Sequence, residues 1–402
     1  MTNKVVDCVA GMQWGSEGKG KVVAYLAKEY NAVIRSGGPQ AGHTFYLDGM
    51  KYVNRQVPCG VANPDCKLYL SANSLVNIDV LAKELSCFSI YPDRLMIDDH
   101  AMVVTAEHAE MERLASLKEK LASTLEGVGA AQSEKVWRRA KLFDFHASED
   151  PELYFFCDDT VRAINEQINN GHPVLLEGTQ GFGLCLNLGS YPFVTSRDVT
   201  ASALLSDAGI SPKHHNQTIG VMRTYPIRVG GNSGPTESKE IDWKEVTRRS
   251  RSPDPILEYT TVTGRVRRVF EQSYPVLDRA MTVNRPDQIA LMFLDYINHD
   301  DFGKTSFDGL SPESQEYVYS LENRLGTPIT LIGTGPEEIH MIDRRTEEQR
   351  AVPVSEPWLN DFFPSNTYGH PWDSGFIEQF IDRKMTDRQG EPFKRRIFLS
   401  DY

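Results

Sequence analysis

The sequence predicts an α/β fold: a single large domain over residues 1–402, with a mostly parallel central sheet, helices around it and long functional loops. Three observations predict it. β-Branched, apolar runs recur along the chain, and most of them end in a glycine-rich turn. Helical patterns, apolar at three- and four-residue spacing, lie between them. No internal repeat, low-complexity tract or linker interrupts the alternation, and strand, turn, helix, strand is how a parallel sheet begins.

Taken in order, "VVDCVAGM" (5–12) predicts the first strand, and a glycine turn then leads into the helical pattern "GKVVAYLAKEY" (20–30). "NAVIRSGG" (31–38) is the next strand and ends in a second glycine turn. Further strands are expected at "PVLLEGTQG" (173–181), "TIGVMRTYPIRVGG" (218–231), "QIALMFLDYI" (288–297) and "ITLIGTGP" (329–336). Helices are expected over "TAEHAEMERLASLKEKL" (105–121) and "ESQEYVYSLENRL" (313–325). The polar, turn-rich stretch "SRSPDPILEYTTVTGRVRRVF" (250–270) predicts a long functional loop within the domain.

Composition sets the class. With 40% hydrophobic and 24% charged residues the chain is an ordinary globule that buries a sizeable core. A formal net charge of −12 argues against a nucleic-acid coat or an anionic membrane surface as the main partner, while leaving room for anionic small molecules where basic residues cluster. The six cysteines form no C-x-x-C pair, so neither a disulfide framework nor a zinc site is expected. The start, "MTNKVVDCVAGMQWG", lacks the basic-then-apolar layout of a signal peptide, and no apolar run approaches the ~18 residues of a membrane helix. A cytoplasmic location is expected, the host cytoplasm if the source is viral.

Three stretches carry chemistry. In "QWGSEGKGKVV" (13–23), Gly15, Gly18 and Gly20 let the backbone approach a phosphate, and the following helix points its amides at that anion. Lys19 and Lys21 add positive charge, but Val22 stands where a P-loop has its magnesium-binding Ser or Thr. "SGGPQAGHT" (36–44) holds His43 at a strand end, where an imidazolium would protonate or hydrogen-bond a developing oxyanion. In the third, "TVTGRVRR", Arg265, Arg267 and Arg268 suit bidentate capture of carboxylate or phosphate, whereas Arg248 and Arg249 fit the solvated face of a helix.

Together "QWGSEGKGK", "SGGPQAGHT", "LEGTQG", "YPFVTS", "IRVGGNSGPTE" and "VTGRVRR" resemble, in order, the signatures of the adenylosuccinate synthetase family. The resemblance implies a ligase that phosphorylates purine O6 with a nucleoside triphosphate and lets the aspartate amine displace that phosphate. It implies a triphosphate site of Gly15, Glu17, Gly18, Lys19, Gly20, Lys21, Gly42, His43, Thr44, Arg267, Asp295, Gly333, Thr334 and Gly335, with His43 as the acid at O6. Magnesium would meet Ser16 and the Gly42 carbonyl. Gln40, Thr124, Arg138 and Thr195 would surround the acceptor's phosphate, with Arg138 reaching across a homodimer interface. Gln180 would face the base, Val229 and Gly230 the sugar, and Val262, Thr263 and Arg265 the aspartate.

Departures from the family pattern carry further information. The ordinary family has an aspartate, the base on purine N1, where this chain has Ser16. A serine hydroxyl does not take a proton unaided near neutral pH. Its shorter, uncharged side chain leaves room beside purine C2 for a 2-amino group and accepts a hydrogen bond from it. The sequence thus most resembles the viral aminodeoxyadenylosuccinate synthetases (the PurZ type), with dGMP as acceptor; the alternatives are an ordinary enzyme acting on IMP and a nucleotide-binding pseudoenzyme. Gln40 replaces a family asparagine, and Phe293 replaces a lysine that lies along the guanine of GTP, which favours ATP or dATP as donor.

Overall fold

The structure, a computed structural model, describes residues 3–260 and 264–351. Ten strands form its main sheet: β1 (Val6–Gly11), β2 (Ala32–Ser36), β3 (Lys67–Leu70), β4 (Leu95–Asp98), β5 (Cys157–Asp158), β6 (Val174–Gly178), β7 (His215–Arg223), β8 (Gln288–Met292), β9 (Ile329–Gly333) and β10 (Met341–Asp343). They lie in the order β10-β9-β8-β7-β1-β6-β2-β3-β4-β5. Every neighbouring pair is parallel except β9 with β10. The chain is a single α/β domain with helices around a mostly parallel sheet; residues 352–402 of the expected domain lie outside the described residues.

Period-two alternation explains why helices cover both faces. Val9, Val33 and Leu175 pack with Val22, Val23 and Leu26 of the helix Lys19–Leu26 on one side. Their chain neighbours Cys8, Ile34 and Leu176 pack with Ile164, Ile168, Leu204 and Leu205 on the other. A strand buried on both faces reads as a continuous apolar run, which is why these runs were legible. All six cysteines are free, and among the described residues no helix is long and apolar enough to cross a membrane.

Three expectations change in detail. The 105–121 pattern is two helices, Ala106–Leu114 and Leu117–Leu121, because Ser116 turns left-handed (φ 55°) between them. The run 218–231 leaves the main sheet after Arg223, and Ile227–Arg228 joins a small antiparallel sheet with Arg268–Phe270 and Glu240–Ile241. The run 288–297 stops as a strand at Met292, because Phe293 takes φ 63°. Parallel strands put their C-terminal ends on one edge, so the loops after β1, β2, β6, β7, β8 and β9 gather there, where open α/β sheets bind ligands.

Candidate functional site at the C-terminal edge of the sheet

The loop after β1 leads into the helix Lys19–Leu26, whose N-cap is Gly18 (φ 96°) with no side chain capping it. Its first amides therefore suit an anion. Glu17 is turned into the loop instead of towards a ligand: its Oε1 accepts from the amides of Gln13 (3.2 Å) and Gly15 (2.7 Å), and its Oε2 pairs with Lys19. Only glycine fits at position 181, since a Cβ there would stand 2.1 Å from that Oε1. Ser16 is exposed at φ 55°, a conformation uncommon for a residue with a side chain, and its carbonyl accepts from Arg223 Nη1 at 3.2 Å.

The loop after β2 continues into a hairpin, His43–Leu47 with Met50–Asn54, that packs on the helix Lys19–Leu26. Gly20 allows this approach; a Cβ there would meet His43 Cβ at 2.8 Å and the Thr44 amide at 3.1 Å. His43 is buried, with Nδ1 2.5 Å from Glu177 Oε1 on β6. Arg35 of β2 donates to the same oxygen at 2.6 Å, and the Cys59 amide donates to Oε2 at 2.7 Å. Burial alone would raise the Glu177 carboxyl, but Arg35 and His43 hold it down at about 2. Burial, then Arg35, lowers the His43 pKa to about 4. The ring is therefore neutral, Nδ1–H donates to Glu177, and Nε2 is left as an acceptor; the imidazolium expected from the sequence is not preformed.

Several buried polar atoms have no hydrogen-bond partner among the described residues: both amide atoms of Gln40, Oε1 of Gln180 and of Gln132, and Oγ of Ser196. Buried polar groups are ordinarily hydrogen-bonded, so each of these atoms suits a polar ligand. Gln180 (φ 63°) lies over Gly15, and Thr195, half-buried, donates its amide to Leu184 in the same loop. Thr124 is half-buried beside Ser123, whose carbonyl takes a long contact from Arg265 Nη2 at 3.4 Å. Arg138 stands apart, exposed at φ 59° just past the helix Val128–Val136.

The arginines divide. Arg268 pairs with Glu240, and Arg248 and Arg249 with Glu245, in keeping with a surface helix for the last two. Arg267 donates to Glu258 at 2.6 Å. Among the described residues the Arg265 guanidinium reaches only carbonyls, those of Ala122, Ser123 and Gly230, at 3.4–3.5 Å. It lines a cleft of about 530 Å³ with Gly230, Asn232, Val266 and Lys118, and Val229 sits half-buried beside it. A fork matched only by long carbonyl contacts suits a carboxylate. Val262 and Thr263 lie outside the described residues.

Lys21 does not reach into the phosphate cradle. Its Nζ donates to the carbonyls of Gly335 and His340, both at 2.7 Å, and so ties the helix to the loop after β9. Burial lowers its pKa, against the pull of Asp295, Glu337 and Glu338. Asp295 is buried, with burial raising its pKa, and its Oδ1, without a partner among the described residues, suits a base N–H. Gly333 packs on Met292, and Thr334 is fully buried, its hydroxyl donating to Lys304. Phe293 carries the Arg223 guanidinium on its face, 3.9 Å from the ring centroid.

A glycine loop, a histidine fixed by a buried carboxylate and an arginine without a carboxylate partner among the described residues, all at one sheet edge, define a nucleotide-handling enzyme. The adenylosuccinate synthetase family model matches residues 8–149 and 142–302. Adenylosuccinate synthetase of Pyrococcus horikoshii is 38% identical over 343 residues, 84% of this chain and 98% of that protein, and that of Archaeoglobus fulgidus is 37% identical over 344 residues, 85% and 98%. The chain belongs to the adenylosuccinate synthetase family and is a carbon–nitrogen ligase; the family works with a nucleoside triphosphate and magnesium. Fully ligated adenylosuccinate synthetase from Plasmodium falciparum shares the fold, with a TM-score of 0.76, 24% identity and coverage of 85% of this chain and 100% of that one. The cyanophage S-2L succinoaminodeoxyadenylate synthetase (PurZ), bound to dGMP and to dATP as an energy donor, superposes with a TM-score of 0.73 at 28% identity over 86% of this chain and 96% of that one.

Sequence reasoning missed Arg35, Glu177 and Arg223. Each is a buried charged residue at or next to the end of a central strand, and a buried charge must be paired. That pairing requirement was the available signal.

Proposed function

We propose that this chain joins L-aspartate to dGMP, driven by hydrolysis of a nucleoside triphosphate, to form N6-succino-2-amino-2′-deoxyadenylate. The observation that carries the reading is Ser16: an exposed, uncharged side chain held at the turn of the glycine loop, where the resemblance places a carboxylate against the acceptor purine. Its hydroxyl leaves room for the guanine 2-amino group and accepts from it. The likeness to the cyanophage enzyme with dGMP and dATP supports this acceptor, and with Phe293 supports ATP or dATP as donor.

The donor's γ-phosphoryl passes to guanine O6 as N1 gives up its proton to a water held by Ser16, and the aspartate amine then attacks C6, loses a proton to solvent and releases that phosphate. Lys19 and the first amides of the helix Lys19–Leu26 hold the phosphates, Asp295 with Gly333, Thr334 and Gly335 bounds the donor base, and Arg265 grips the aspartate. Triphosphate charge beside Nε2 raises the proton affinity of His43, so the ring takes up its proton as the donor binds, while Glu177 keeps Nδ1–H in place. Gln40, Thr124, Gln180 and Thr195 take the acceptor nucleotide, with Val229 and Gly230 at its sugar. The donors available for magnesium, the Ser16 hydroxyl and the Gly42 carbonyl, are hard oxygens and few, which fits an ion held mainly by substrate phosphates. Bound there, magnesium supplies charge to the transferring phosphoryl group.

A homodimer is part of the reading. Val136 and Trp137, each 66% exposed, precede Arg138 at the end of the helix Val128–Val136, and Met111 and Leu114 are exposed on the helix packed against it. Such an apolar patch beside an arginine fits a second copy that supplies Arg138 to its partner's phosphate site.

A second reading is favoured by one observation: the archaeal relatives at 37–38% identity are adenylosuccinate synthetases, which points to IMP as acceptor and GTP as donor. Incubating the protein with dGMP or IMP, each with aspartate, magnesium and ATP, dATP or GTP, and weighing the products by mass spectrometry separates the two. A succinylated product from dGMP with ATP or dATP is expected. Product from IMP alone establishes the second reading, and none from either, with folded protein, leaves a pseudoenzyme.

A further inference from the structure

We propose that Arg197 is a positioning residue that locks the segment carrying Thr195 and Ser196 against the loop carrying Gln40, so that the two hold the acceptor's phosphate between them. It rests on the reading of those stretches as the acceptor's phosphate site, but not on which purine nucleotide is the acceptor.

A charge buried in a fold must be met by partners, and Arg197 is only 4% exposed. Its partners come from three separate places. Nη1 donates to the Asn73 carbonyl, in the turn after β3, at 3.0 Å. Nη2 donates at 2.7 Å to the hydroxyl of Ser36, the last residue of β2, and at 2.8 Å to Asp207 Oδ2. Asp207, at the end of the helix Ala201–Asp207, closes the group. Its Oδ2 also accepts from Ser36 Oγ at 2.9 Å, and its Oδ1 accepts from Asn73 Nδ2 at 2.7 Å.

Both sides of this cluster lead into the candidate site. Arg197 follows Thr195 and Ser196 in the chain; its carbonyl accepts from the Leu186 amide at 3.1 Å, and the Thr195 amide donates to Leu184 at 2.9 Å. Ser36 leads into Gly37, Gly38 and Gln40, and its carbonyl accepts from Thr179 Oγ1 at 3.1 Å. The chain is packed closely there: a Cβ on Gly37 would stand 2.5 Å from Thr179 Cγ2, and one on Gly38 2.5 Å from Gln40 Oε1. The Ser196 hydroxyl and the Gln40 carboxamide, buried without partners among the described residues, thus hang from one bracket. Asp207 offsets the charge of Arg197, so the arginine supplies the site with shape rather than field. Lysine would keep that charge but lose the planar fork that reaches Asn73 with one nitrogen and Ser36 and Asp207 with the other.

Equilibrium titration of the full chain tests the bracket, with dGMP and IMP as acceptors in separate arms. Arg197→Lys should weaken acceptor binding about tenfold, the size of one charge-assisted contact, while affinity for the donor triphosphate with magnesium stays within about twofold. Its kcat at saturating substrates should also stay within about twofold of the wild type. Ser36→Ala leaves the ion pair in place; it should weaken the acceptor about threefold or more, and it decides the matter if Arg197→Lys does not fold. Thr195→Ala reports on the site reading itself. Unchanged acceptor affinity in Thr195→Ala, with the loss present in Arg197→Lys, upholds the bracket and moves the phosphate contact to Ser196 and Gln40. Acceptor affinity unchanged in the folded bracket variants, or donor and acceptor weakened alike, overturns the proposal; if Thr195→Ala is then still impaired, the site reading stands without it. A wild type that binds neither nucleotide overturns both.

Discussion

The Ser16 turn and the His43 network stand side by side at the edge of the sheet, and they are held in opposite ways. His43 is buried and fixed through Glu177, itself held by Arg35 and the Cys59 amide, with partners drawn from two strands and a loop. Ser16 is exposed, and what fixes it is backbone: its φ of 55° and its carbonyl's bond to Arg223. A change at Glu177 leaves an uncompensated buried charge, whereas a change of the Ser16 side chain disturbs nothing else the loop depends on. On the proposed reading, the group that does chemistry is over-determined and the group that selects the acceptor is free to vary. One family can therefore change its substrate while its phosphoryl-transfer apparatus stays put.

The comparison is broken most severely at the buried end. Glu177→Gln removes the charge that holds the His43 tautomer, and kcat should fall by about 10²–10⁴ with little change in nucleotide KM. His43→Asn should match it while still binding nucleotides in equilibrium titrations. Near-wild-type turnover in either would make this network structural only. Arg138 comes next: Arg138→Ala should raise the KM of the acceptor about tenfold to a hundredfold. Mixing it with a His43→Asn chain should recover activity in hybrid dimers, and mixed dimers without recovery would refute a shared site.

A smaller effect sharpens the electrostatics. Burial and Arg35 lower the His43 pKa to about 4, so the folded protein binds fewer protons at this ring than the unfolded chain does. The ring's contribution to stability is thus present above the ordinary histidine pKa of about 6.5 and is lost as pH falls towards 4. Nitrogen NMR of the nucleotide-free protein should show Nε2 unprotonated at pH 6, and addition of ATP and magnesium should raise its pKa by about one unit or more. A ring already protonated at pH 7 without nucleotide would contradict the neutral tautomer.

How much of this was legible in the sequence follows from where each residue sits. The central strands announced themselves, because "VVDCVAGM" and "PVLLEGTQG" are buried on both faces and end in glycine. β3, β4, β5 and β10 did not, being two to four residues long with too little pattern to separate from loop. The glycine loop, His43 and Arg265 were legible because glycine spacing and clustered arginines have a chemical meaning without a fold. For Glu17 and Lys21 the spacing could not say that one carboxylate turns inward or that one ammonium bonds Gly335 and His340. Glu177 and Arg223 acquire their roles only from partners about 35 to 210 residues away in sequence.

The central claim is that Ser16 selects the acceptor, and the ratio of kcat/KM for dGMP to that for IMP, measured in the wild type and in Ser16→Asp, tests it most directly. The wild type should favour dGMP. A carboxylate at position 16 crowds the guanine 2-amino group and supplies a base for the N1 proton of IMP, so the variant's ratio should shift towards IMP by ~1–3 kcal/mol, about fivefold to 150-fold. A Ser16→Asp enzyme that prefers dGMP as strongly as its parent would contradict the account and leave Ser16 a loop residue without a part in selection.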